Sequence, residues 1–252
     1  MKVNKKKLFS TLSVLLSVVF SSQVFSAVSL DRTRIIFNGD RKNVALTITN
    51  KNVQLPFLAQ GWMEDSEGKK ITNPFIVLPP VQRLEPGKTS QVRIESLPDV
   101  DKLPQDRESV FYFNLREIPP KSDKPNVLQL ALQSKIKLFY RPTGILMSDT
   151  EMNANPWQNK LILIKKGNQY VAKNPTAFNT TLVAAASSET AQPFNDFSAT
   201  MVPPFGEMAL NLPVSKLGNA PVLTYINDYG GRLKLPFKCQ SDQCVVVPSK
   251  KS

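Results

Sequence analysis

Apolar and polar positions alternate along much of this chain with a period of two, the pattern of half-buried strands. Val44-Ala45-Leu46-Thr47-Ile48-Thr49 shows it most plainly. Further strands are expected over 54–63, 75–78, 91–97 and 110–118, and a longer one over 126–142. Turn-forming clusters separate them at Asn38-Gly39-Asp40, Ser66-Glu67-Gly68, Glu85-Pro86-Gly87 and Leu97-Pro98-Asp99. About seven short strands in roughly a hundred residues predict an immunoglobulin-like sandwich. The series closes at Arg141-Pro142-Thr143-Gly144, and a second follows over 157–164, 169–172, 178–185, 207–212, 222–226, 232–237 and 244–247. The expected fold class is all-β, with one domain over 27–143, a second over 144–252, and a cleft between them of the kind that takes ligands.

One strand departs from the ordinary. NVLQLALQSKIKLFYRP, 126–142, is long, with Leu128, Leu130 and Leu132 on one face and Lys135 and Lys137 on the other. Alternation alone turns the leucines into the core and leaves both lysines in water. A second reading makes the leucines an accessible edge, to which a partner chain adds a strand. Lys137, close to the domain boundary, then becomes a cation able to capture a carboxylate or chain terminus.

The first 26 residues read differently. Lys2, Lys5, Lys6 and Lys7 precede an apolar run from Leu8 to Phe20, and Val24-Phe25-Ser26 places small residues before Ala27. That is a secretory signal peptide cleaved before Ala27. The run is shorter than the ~20 residues that span a bilayer, and no later stretch is long and apolar enough, so no membrane insertion is expected. Removing four lysines and no acids takes the net charge from +12 to +12 − 4 = +8. The remaining charges are mostly scattered among acids, which reads as solvated surface rather than a nucleic-acid site.

Chemistry is sparse. The chain has no histidine, which removes Ser-His-Asp and Cys-His catalysis and the commonest metal ligand. No phosphate-binding glycine loop or nucleophile elbow is present. Cys239 and Cys244 in an exported chain read as a disulfide; two thiols alone make a poor zinc site. A binding protein is expected rather than an enzyme, without metal or cofactor. A secreted two-domain adhesin or carbohydrate-binding sandwich stands as the alternative, and a carboxylate-based hydrolase as a third.

Several stretches, however, carry a specific resemblance: AVSLDRTR (27–34), PPVQRLEPG (79–87), KLPQDRESVFYFNLREIPP (102–120), the 126–142 strand, TYINDYGGR (224–232) and the cysteine pair. In this order they resemble the periplasmic pilus-assembly chaperones of the chaperone–usher pathway. The resemblance implies two immunoglobulin-like domains in an L or boomerang. It implies pilins as partners, each an incomplete sandwich whose groove is filled by a lent strand carrying Leu128, Leu130 and Leu132, and an outer-membrane usher as receiver. It places an anchor for the pilin's C-terminal carboxylate at Arg34 and Lys137, and an inter-domain ionic network at Glu108, Arg141 and Asp228. The short connection over 119–125 matches chaperones of rod-like pili. Self-association through the exposed strand is a further expectation.

Overall fold

A computed structural model describes residues 26–123 and 127–247. The signal sequence, but for Ser26, and the C-terminal five residues lie outside them. Ten strands build the first half: β1 (Val28–Leu30), β2 (Arg34–Asn38), β3 (Asn43–Asn50), β4 (Phe57–Glu64), β5 (Lys70–Ile71), β6 (Phe75–Leu78), β7 (Val81–Leu84), β8 (Thr89–Ser96), β9 (Ser109–Ile118) and β10 (Gln133–Arg141). One sheet runs β1-β3-β8-β6. The facing sheet runs β2-β10-β9-β4-β5, with β7 also on β4. Alternation does what the sequence promised: Leu46 and Ile48 of β3, Val92 and Ile94 of β8, and Phe111, Phe113 and Leu115 of β9 meet between the sheets.

The second half adds β11 (Ile162–Lys166), β12 (Gln169–Lys173), β13 (Thr180–Ala186), β14 (Thr200–Val202), β15 (Glu207–Pro213), β16 (Val222–Ile226), β17 (Arg232–Gln240) and β18 (Gln243–Val246). They follow one path, β14-β13-β16-β17-β18-β11-β12-β15. The path folds over at β17, whose first half pairs with β16 and whose second half pairs with β18. The two ends, β14 and β15, come back into contact, closing a sandwich around Leu163, Leu182, Leu210, Leu223 and Phe237. The disulfide between Cys239 and Cys244 ties the β17–β18 hairpin at opposed positions. The molecule is thus all-β, with two immunoglobulin-like sandwiches.

Three expectations change. Trp157–Lys160 is a 3-10 turn, and β11 starts only at Ile162. The strands missing from the sequence reading, β1, β2, β5, β7 and β14, are two to five residues long, too short to show a period. The long strand is shorter than its pattern: β10 begins at Gln133, so Leu128, Leu130 and Leu132 precede it. The last ladder bond is Glu117 N–H to the Leu132 carbonyl, 3.0 Å.

Candidate partner-binding site

By parity the three leucines continue the line of Ile136, Leu138 and Tyr140, which pack in the first core. The alternation-based expectation that the leucines are buried with them is overturned. Leu128 is 83% exposed and Leu130 59% exposed, and Leu132 is half-buried. The reason lies in the neighbours. β9 ends at Ile118 and leaves through Pro119-Pro120, and among the described residues nothing covers Leu128 and Leu130. Val127 is also exposed, so three apolar side chains within four residues stand in solvent, the kind of exposed cluster that marks an interaction site.

The other edge of β10 is open too. β2 pairs with β10 in parallel only from Lys137 onward, Lys137 opposite Arg34 and Arg141 opposite Asn38. From Ile136 back to Val127 that edge has no partner strand among the described residues. Lys137 therefore marks the point where the paired edge gives way to the free one.

At this point two cations sit side by side. Ile35 and Phe37 of β2 face the core, which turns Arg34 and Ile36 outward; β10 likewise turns out Lys137, Phe139 and Arg141. The second domain covers most of this outer face, so Phe139 and Arg141 are buried from both sides and the alternation disappears in the Leu138-Phe139-Tyr140 run. Arg34 lies over the Phe139 ring at 5.8 Å and donates from Nη1 to the Ile226 carbonyl at 3.1 Å, while its buried Nε has no hydrogen-bond partner among the described residues. Burial pushes its guanidinium down, against the pull of Asp228 and Glu108. Burial, and then the charge of Arg34, push the Lys137 ammonium down as well. Among the described residues Lys137 has no carboxylate within ion-pairing distance. Two adjacent, partly desolvated cations, neither in an ion pair among the described residues, make a site for an anion. Lys135 is different: its Nζ is 2.6 Å from Glu64 Oε2 and stands over the Tyr112 ring.

Behind Arg34 lies an ionic cluster. Arg141 donates to Glu108 Oε1 from Nε (3.0 Å) and Nη2 (2.7 Å), and to Asp228 Oδ2 from Nη1 (2.9 Å). Glu108 Oε2 accepts from the Asn179 amide at 2.7 Å and its Nδ2 at 3.1 Å. Burial raises Glu108, yet both its oxygens face only N–H donors, which is the environment of a carboxylate. The Arg141 guanidinium packs against the stacked pair of Trp157 and Phe178 rings, 5.2 and 4.9 Å from their centroids. Glu108 and Arg141 belong to the first domain, Asn179 and Asp228 to the second, so the cluster joins the two. A cleft of about 390 Å³ opens there, walled by Arg34, Arg141, Asp228, Tyr229, Met147 and Met152; Lys137 lies outside this wall. The sequence reading did not single out Asn179, Trp157 or Phe178, because an amide and two rings around an arginine leave no spacing signal.

What the fold and site define is a two-sandwich binding protein with an uncovered apolar segment beside a pair of cations. Among the described residues no group of three or more His, Cys, Asp or Glu could hold a metal. The model of the pili and flagellar-assembly chaperone PapD N-terminal domain matches residues 27–146, and that of the pili assembly chaperone PapD C-terminal domain matches 156–237. The chain belongs to the family of pilus-assembly chaperones, whose function is not enzymatic. It is 50% identical over 226 residues to the chaperone protein PapD of Escherichia coli, covering 89% of this chain and 92% of that one. It is 44% identical to the probable fimbrial chaperone YfcS of Escherichia coli K12, covering 94% and 92%. Among solved structures, the periplasmic chaperone SfaE matches with a TM-score of 0.67 at 30% identity, covering 83% of this chain and 98% of that one. The SafB chaperone of Salmonella enterica, in complex with SafA pilin, matches with 0.69 at 26% identity, covering 87% and 99%.

Proposed function

We propose that this protein acts in the periplasm, binding, folding and capping pilus subunits by lending them the segment Leu128–Leu132, and passing them to an outer-membrane usher. The observation that carries this is the exposure of Leu128 and Leu130 on a segment that leads into a strand edge ending at two cations, neither of them in an ion pair among the described residues. Arg34 and Lys137 hold the subunit's terminal carboxylate. A chain whose end is fixed there and which pairs back along the free edge runs parallel to the lent segment, in line with β2. The fixed end sets register, since a one-residue slip would reverse which side chains enter the subunit's groove. Glu108, Arg141 and Asp228 hold the two domains, divided at 143/144, so that the cleft keeps its form. Without a subunit, the same edge pairs with a second copy. The similar SafB chaperone, whose structure is in complex with SafA pilin, supports a subunit as the partner.

The test is recovery of the tagged protein from the periplasm of a piliating host, with Lys137→Ala beside it. The expected result is one subunit per wild-type chain and none on the folded variant. A variant that retains its subunits removes the carboxylate anchor. A wild type that brings down none sinks the whole reading.

A further inference from the structure

Glu117 is a buried carboxylate without a cation. It points inward from β9, in line with Phe111, Phe113 and Leu115, and is 4% exposed. Among the described residues no lysine or arginine lies within ion-pairing distance of it; an unpaired buried charge costs several kcal/mol. Its Oε2 instead accepts from two groups at the start of the chain, the Val28 amide at 2.7 Å and the Ser26 hydroxyl at 2.9 Å. Ala27 stands between these two in sequence, so its nitrogen is flanked on both sides by groups reaching the same oxygen. The Ala27 carbonyl is itself fixed, accepting from the Lys51 amide at 2.6 Å. Cleavage before Ala27 would remove the Ser26 hydroxyl and turn that flanked nitrogen into an ammonium. The family match also begins at residue 27.

We propose that removal of the signal peptide completes the fold: the new α-ammonium of Ala27 pairs with the buried Glu117 carboxylate and locks β1 onto the first sandwich. The cation the site lacks is one that only the processed chain possesses. The lock reaches further than β1. The Glu117 backbone N–H holds the Leu132 carbonyl, so one residue grips the N-terminus with its side chain and the root of the exposed leucine segment with its backbone. On the function proposed above, an uncleaved precursor has a loosely rooted segment and becomes competent only after export.

The test uses the secreted, processed chain and reads no subunit binding, so it stands apart from that function. Its N-terminus is first established by mass spectrometry. The protein is then compared with its Nα-acetylated form in the wild-type and Glu117→Gln backgrounds; glutamine keeps an acceptor for the Val28 amide. Acetylation is expected to lower Tm by at least ~2 °C in the wild type, to leave Glu117→Gln unchanged, and to speed exchange of the Glu117 amide. The Ala27 amine is expected to titrate well above the ~7.7–8.0 of a free α-amine, and to return there in Glu117→Gln. A mature terminus other than Ala27, an amine titrating as in a free peptide, or an equal effect of acetylation in both backgrounds would each overturn the proposal.

Discussion

Lys137 shows how a single residue can be costly to the free protein and useful to the complex. Its ammonium is pushed below the ordinary 10.5, first by burial and then by Arg34. A base whose folded value is depressed binds fewer protons folded than unfolded across the window between the two values. Stability therefore rises with pH through that window, is fully present above 10.5, and is lost as pH falls through the folded value. At neutral pH the charge is a burden that a carboxylate would relieve. Lys137→Ala is expected to match or slightly exceed the wild type in thermal stability at pH 7, with the difference closing above about pH 10.5; parallel melts across pH check this. The effect is small, because the side chain is half-exposed and water screens it. A variant markedly less stable at pH 7 would show that Lys137 supports the fold instead. At this scale the sequence was legible for chemistry and blind to environment. Arg34, Lys137, Glu108, Arg141 and Asp228 stand out through motif likeness. That Lys135 is paired and Lys137, among the described residues, is not depends on where Glu64 falls across the sheet, which no spacing along the chain reveals.

Among the elements, the leucine segment carries the argument, and its pattern was misleading in an instructive way. Period two tells which side chains share a face; it does not tell whether anything covers that face. The leucines keep the parity of Ile136 and Leu138 and lose the cover, because β9 ends two prolines too early. The core strands β3, β8 and β9 were legible because both sheets extend past them, while β2, buried on both faces, showed no alternation to find. Exposed leucines contribute little to the free fold. Leu128→Ser with Leu130→Ser is therefore expected to move Tm by no more than ~2 °C. It is expected to weaken subunit binding by roughly 10- to 100-fold per leucine, from ~1.5–3 kcal/mol for each side chain buried. Calorimetric melts and titration with a purified subunit separate the two effects. A large fall in Tm would place the leucines in a core after all.

The whole molecule depends on one arginine. Arg141 bonds Glu108 in its own domain and Asp228 in the other, so the domains share a charged core that neither could satisfy alone. Removing a buried partner strands the remaining charge at about 3–5 kcal/mol. Glu108→Ala is expected to lower Tm by roughly 6–20 °C, measured by calorimetry. Asp228 gives one bond and is less buried. Asp228→Asn is expected to reduce periplasmic yield more than subunit affinity per folded molecule, and equal yield with lost binding would overturn that. The same arrangement has an optical consequence. The chain has two tryptophans. Trp62 lies half-exposed on the first sandwich between Lys70 and Arg116. Trp157 is buried at the junction, stacked on Phe178 with Arg141 over its face. Their emission should therefore separate, red for the first and blue for the second. In Trp62→Phe the remaining signal comes from the junction alone, and a shift to the red at temperatures where each sandwich is still folded would mark the two halves parting before either melts.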